Sequence, residues 1–132
     1  MTICPICQAA TIHEIRPRVI TYKEREKIIN QPAVYCDACG DFFLSPEDSK
    51  ATEREMADFR RTVEHLLTSE EIKSIRKRFK ITQKEASELF GGGVNAFSKY
   101  ERGEAIQSRS TDILLRLIEQ EKIGVREIKA MI

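Results

Sequence analysis

The chain has 132 residues, 33% of them charged and 41% hydrophobic, enough apolar content for one ordinary domain or two small ones. It has no run of about 18 apolar residues and no basic-then-apolar leader, so a soluble, cytoplasmic protein without a membrane partner is expected. The net charge of +1 does not by itself mark a nucleic-acid binder, but it is unevenly spread: residues 67–132 carry 13 Lys/Arg against 10 Asp/Glu, and residues 1–66 carry 9 against 11. A mildly basic C-terminal half and a mildly acidic N-terminal half suggest different partners.

All four cysteines lie within the first 39 residues. In a reducing compartment a metal is a better use for them than disulfides. Cys4-Pro5-Ile6-Cys7 and Cys36-Asp37-Ala38-Cys39-Gly40 are two CxxC pairs separated by 28 residues. Each CxxC turn aims two thiolates at one point, and two such knuckles complete a tetrahedron with no open position. That is the donor set of a structural zinc site, so one Zn²⁺ per chain is expected, held by Cys4, Cys7, Cys36 and Cys39. A thioredoxin-like redox role would need a CxxC in a βαβ pattern, and neither pair sits in one. Between the knuckles, Arg18–Tyr22 and Lys27–Ile29 are rich in β-branched residues and bracket a charged Lys-Glu-Arg-Glu segment, which reads as a hairpin. Phe42-Phe43-Leu44 reads as a further short strand. So small a domain buries little surface, and the metal should supply much of its folding free energy.

Ser45-Pro46-Glu47-Asp48 is a helix start, with Ser45 as N-cap and Asp48 reaching back. Met56, Phe59, Val63, Leu66 and Leu67 recur at helical spacing, predicting a long amphipathic helix from about 46 to 67. Its apolar stripe would cover the sheet or help hold a partner protein. Thr68 with Glu71 forms a second capping box and suggests a domain boundary, giving 1–67 and 68–132.

Five short helices follow. Ile72, Ile75 and Phe79 mark the first, with Lys73, Arg76, Lys77, Arg78 and Lys80 around it. Thr82 caps the second with Glu85, Ile81 is placed to staple it, and Ala86, Leu89 and Phe90 are its inner face. Gly91-Gly92-Gly93 makes a turn, and the third helix carries Phe97 and Tyr100 inward. Gly103 ends it. Residues 111–120 and 124–132 supply the last two. The Val125, Ile128 and Met131 stripe is placed for either a dimer interface or core packing. No Gly-Lys-Ser/Thr follows the triple glycine, so it is not a nucleotide-phosphate loop.

Helix, glycine-bearing turn and helix make a helix-turn-helix unit. Asn95 and Lys99, one turn apart, face outward where a recognition helix reaches base edges: Asn can pair with adenine N6/N7 and Lys can donate to guanine O6/N7. Gln83 is placed to hydrogen-bond a phosphate, and Lys84, Lys80 and Arg102 add phosphate attraction. Double-stranded DNA is therefore an expected partner. Asn95 as a mere helix-start residue and Lys99 as a solvated charge are the plainer alternative. Glu101 falls toward the inner side of its helix within reach of Arg76, and a partly buried Arg76–Glu101 pair would fix the helix angle. No Ser/His/Asp or carboxylate cluster accompanies the cysteines, and His13 and His65 stand isolated, so no enzyme is expected.

The stretch from residue 69 to about 120, with ITQKEASELF and NAFSKYERG, resembles the Cro/repressor-type (XRE) helix-turn-helix domains in Thr82-Gln83, Ala86, Leu89 and the Tyr100-Glu101-x-Gly103 ending. With CPIC and CDACG in front, the whole chain resembles the MqsA-family antitoxins, and FGGGVNAFSKYERG is a specific match. The resemblance implies a fold class of α+β. A small zinc-bound hairpin domain with a long helix would bind a toxin, and an all-α five-helix domain would dimerise and bind a palindromic operator. It implies zinc on the four cysteines, base reading by Asn95, and an mRNA-cleaving ribonuclease as the toxin. The family's second reading position is usually Arg. Here it is Lys99, which lacks the planar fork, so the operator sequence or the affinity should differ. A zinc-containing transcription regulator, responsive to metal or redox state and without a toxin, is the rival expectation.

Overall fold

The computed structural model describes residues 3–132. Its elements in chain order are β1 (Ile12–Tyr22), β2 (Arg25–Tyr35), β3 (Phe42–Phe43), α1 (Pro46–Val63), α2 (Ser69–Arg78), α3 (Gln83–Phe90), α4 (Ala96–Arg102), α5 (Arg109–Glu119) and α6 (Val125–Lys129). This is the α+β architecture, a small antiparallel sheet followed by helices. The chain divides into two compact units, residues 1–55 and 56–132. The division falls inside α1, upstream of the 67/68 boundary that the Thr68 capping box suggested. Among the described residues, no helix is long and apolar enough to cross a membrane.

The first unit is built on a sheet of order β1-β2-β3. Its hairpin is longer than the strands expected at 18–22 and 27–29, pairing from Ile12↔Tyr35 to Tyr22↔Arg25. Each long strand contains a proline, placed where pairing tolerates it. Pro17 lies on the edge strand β1, and β3 pairs only with Val34 and Tyr35, so Pro32 lies outside that second pairing. Lys23 and Glu24, at φ 47° and 64°, make the two-residue reversal, and Arg25-Glu26 already belongs to β2. Ile20, Ile29 and Ala33 are buried, whereas Ile15, Val19 and Ile28 remain exposed. Gln31 is fully buried and spends every polar valence: its amide donates to the Asp48 and Pro32 carbonyls, and its Oε1 accepts from Thr52 and Arg18. Asp48 caps α1 by accepting from the Ser45 N–H at 3.1 Å, while its other oxygen meets His13 Nε2 at 2.8 Å. His13, expected to stand isolated, is therefore a partner of the buried helix cap.

The second unit begins with the last turns of α1. The helix stops at Val63 rather than near 67, because His65 turns left-handed (φ 60°) and the Leu66 N–H bonds back to the Arg61 carbonyl at 2.8 Å. Leu67 then drops into a core shared with Ile72, Ile75, Phe97, Leu115 and Ile118. The C-terminal stripe divides: Ile128 joins this core, Val125 packs against it, and Met131 is exposed.

A polar network runs through the same interior. Arg61 has no solvent exposure. Its guanidinium donates to Asp58 Oδ1, to Gln107 Oε1 and to the carbonyls of Tyr100 and Ala105, all at 2.9–3.0 Å. Gln107 passes its amide on to the Leu67 carbonyl and to Asp112, which also accepts from the Leu67 N–H and from Arg116. Asp58 accepts from the Ser69 N–H and hydroxyl, fixing the start of α2. Burial pushes the Asp112 carboxyl up, but its three donors outweigh that and hold it below the usual carboxylate range.

Three outcomes are expected for the helical unit, read by urea and acid unfolding. Arg61→Met leaves the Gln107 Oε1 and two carbonyls without their donor in the interior and should lower the unfolding free energy by about 3 kcal/mol or more. A fragment starting at residue 68 lacks Arg61 altogether and should not fold cooperatively. Because the Asp112 pKa is depressed on folding, its contribution is full above the unfolded value of about 3.9 and is lost as pH falls through the folded value. Asp112→Asn should flatten that acid limb of the stability profile.

Candidate metal centre and helix-turn-helix face

The two knuckles are built alike. Cys4 donates its N–H to the Ala9 carbonyl and accepts from the Gln8 N–H, and Cys36 does the same with Asp41 and Gly40. The turning residues Gln8 and Gly40 both have positive φ (64° and 80°). Each loop therefore folds its two sulfurs toward the same side. Cys4 and Cys36 are buried, while Cys7 and Cys39 are exposed.

Across the knuckles, Cys4 Sγ lies 3.8 Å from Cys39 Sγ and Cys7 Sγ lies 3.4 Å from Cys36 Sγ. All four sulfurs lie within 4.8 Å of one another. A tetrahedron with metal–sulfur bonds of about 2.3 Å has sulfur–sulfur edges of about 3.8 Å, so the sulfurs already stand at coordination spacing. Their acidities are driven apart. The Cys39 backbone N–H, helped by Cys7, holds the Cys36 thiol down to about 7. The Asp41 N–H lowers the Cys39 thiol too, but burial and its sulfur neighbours overcome it and push that thiol up to about 12. Four thiolates this close repel one another unless a cation joins them, which is the condition a divalent metal meets. The donor set fits a metal ion held by Cys4, Cys7, Cys36 and Cys39.

In the helical unit, α3 is capped by Thr82 and Glu85 in a reciprocal box. Gly91, Gly92 and Gly93 all have positive φ. Only Gly92 is also crowded, since a Cβ there would collide with the Tyr100 hydroxyl and touch Ala96. Ala86, with no exposure, lies in the core where α3 meets α4. Phe97 stacks edge-on to Tyr100 and tilts against Phe90 at 5.7 Å. Arg76 Nε and its terminal nitrogen grip both oxygens of Glu101 at 2.8 and 2.9 Å, joining α2 to α4.

The glycine-rich stretch itself is only partly helical. Residues 91–95 form the turn, and Asn95 is the N-cap of α4 rather than a residue within it. With φ at 64°, the Asn95 side chain makes no capping hydrogen bond. It is exposed, as is Lys99, whose N–H bonds to the Asn95 carbonyl at 3.1 Å.

A groove of about 590 Å³ opens between α3 and the turn, lined by Gln83, Lys84, Ser87, Glu88, Gly93, Val94, Asn95 and Ser98. Gln83, Lys84 and Asn95 are thus brought together. Lys99 and Arg102 do not line it, and Arg102 is engaged with Glu104 at 3.1 Å and the Ser98 carbonyl. Ser87, Glu88 and Val94 were not singled out from the sequence. Their spacing from Gln83, Lys84 and Asn95, one helical turn or one residue, was the available signal.

The comparisons with known proteins agree with both halves. A family model described as "Antitoxin component of bacterial toxin-antitoxin system, MqsA" matches residues 2–129. The chain belongs to the MqsA antitoxin family. It is 36% identical over 129 residues to Antitoxin MqsA of Escherichia coli (strain K12), covering 96% of this chain and 98% of that protein. Membership in an MqsA family spanning both halves means that the cysteine centre and the helix-turn-helix are parts of one antitoxin.

Within this MqsA-type turn, Gly92→Ala should lower the melting temperature more than Gly91→Ala or Gly93→Ala. All three meet positive-φ strain, but only the first meets the tyrosine. Adding Tyr100→Phe should restore part of the loss, read by thermal unfolding of the double variant.

Proposed function

We propose that this chain is a cytoplasmic, non-enzymatic antitoxin and autorepressor. One part would neutralise a ribonuclease toxin, and the helical unit of a homodimer would bind a palindromic operator. The reading rests on one observation: the family match runs through both the cysteine centre and the helix-turn-helix. The toxin is assigned to the zinc-bearing N-terminal part and dimerisation to the C-terminal part.

The four-sulfur donor set supports zinc as a structural ion that folds the first unit, since it leaves no open position for substrate or water. For DNA, the support is the idle amide of Asn95. A helix-start asparagine ordinarily spends its side chain on the helix, whereas this one leaves both its donor and its acceptor free beside the groove. We assign Asn95 to adenine, Lys99 to a neighbouring base, and Gln83, Lys84 and Arg102 to phosphates, with the Arg76–Glu101 pair setting the angle of α4.

Asn95→Ala should weaken a selected operator by about 10- to 100-fold while leaving binding to random DNA unchanged. An equal loss on both DNAs would sink the base-reading role. Metal analysis should find one zinc per chain. Cys36→Ser should abolish it and unfold the first unit, with the amide spectrum of residues 56–132 unperturbed. A metal-free chain with both units intact would refute the structural role.

A further inference from the structure

Among the described residues, Val94 is the most exposed large hydrophobic side chain, at 86%. A single exposed valine is ordinary on a protein surface. Its position is not. The flanking Gly93 and Asn95 both have positive φ (92° and 64°), and the Ala96 N–H closes the turn on the Gly93 carbonyl at 3.2 Å. Ala96 and Phe97 go into the core, and Val94 is left outside at the apex. The groove it lines is otherwise furnished with hydrogen-bonding side chains, among them Gln83, Asn95 and Ser98. A valine can make no hydrogen bond, so its contribution there must be apolar contact.

Base edges in the major groove display one apolar group, the 5-methyl of thymine. We propose that Val94 is a specificity-determining residue that packs on a thymine methyl next to the base addressed by Asn95. This inference rests on the DNA-reading assignment of α3 and α4 made above. It explains why the turn holds an apolar side chain in water: the valine is covered only when the groove is filled. It also divides the labour at the face, with Asn95 testing hydrogen-bond pattern and Val94 testing for the methyl that separates thymine from cytosine.

The test uses the full-length protein and duplex DNA that it selects from a random pool. Each thymine of the selected duplex is replaced in turn by deoxyuridine, which deletes the methyl and keeps the pairing. One position per half-site should weaken binding roughly fourfold, the value of one buried methyl group. Val94→Ser should bind more weakly and show no further loss from deoxyuridine at that position, whereas Val94→Leu should retain the discrimination. Unchanged melting temperatures verify that both variants are folded. If no deoxyuridine weakens the wild type, or if Val94→Ser still discriminates, Val94 does not read the methyl. A protein that selects no sequence at all overturns the DNA-reading assignment, and this inference with it.

Discussion

Taking a guanidinium out of water costs several kcal/mol unless every direction of its fork meets an acceptor. Arg61 meets four: a carboxylate, an amide oxygen and two carbonyls. Those acceptors come from α1, from the last turns of α4 and from the loop that leads into α5. The position of that one cation therefore dictates how three segments of the helical unit lie together. Its partners carry the constraint further, Asp58 to the start of α2 and Gln107 to Leu67 and Asp112. Apolar packing of Phe97 and Tyr100 supplies the bulk of the burial around α4, but packing alone tolerates sliding. The hydrogen-bonded fork, together with the Arg76–Glu101 clamp, does not.

The first unit solves a different problem. Its sheet has one well-buried patch, around Ile29 and Ala33, and a buried amide at Gln31. That is a small apolar reserve for its chain length. The cap of α1 holds the hairpin on its buried face, and a metal ion on the four sulfurs would close the long loop between the knuckles at its root. Gln31, Asp48 and Thr52 join the hairpin to that cap.

Much of this was legible from residue type and spacing. The cysteine pairs, the helix starts at Ser45, Thr68 and Thr82, the inward Ala86, Phe97 and Tyr100, and the five helices after residue 68 are all local patterns, and local patterns survive without knowledge of the fold. What escaped was set by distant partners or by backbone conformations that no residue type announces. His65 ends α1 left-handed where a glycine would have signalled the stop. The hairpin's full length escaped because only residues 18–22 and 27–29 carry a strong β-branched signal, and the outer pairs are set by the partner strand. Nothing in the sequence marked Arg61, since Gln107 and the Tyr100 carbonyl lie about forty residues away in sequence. Asn95 was placed inside a helix that in fact starts one residue later.

Under the proposed DNA-reading role, the brevity of α4 would limit what one copy of this protein can recognise. Seven residues make about 10 Å of helix, the length of about three base pairs. A word of three letters drawn from four distinguishable pairs recurs by chance roughly once in every 64 positions of random sequence. A single reading head of this length would find its word everywhere on a chromosome. Only by joining two such words at a fixed spacing does the recurrence fall to roughly one in several thousand, and each added side chain that tests a further atom, as Val94 would, multiplies that interval again. On that proposal, addressing one promoter would be an information requirement that the small helix cannot meet by binding more tightly.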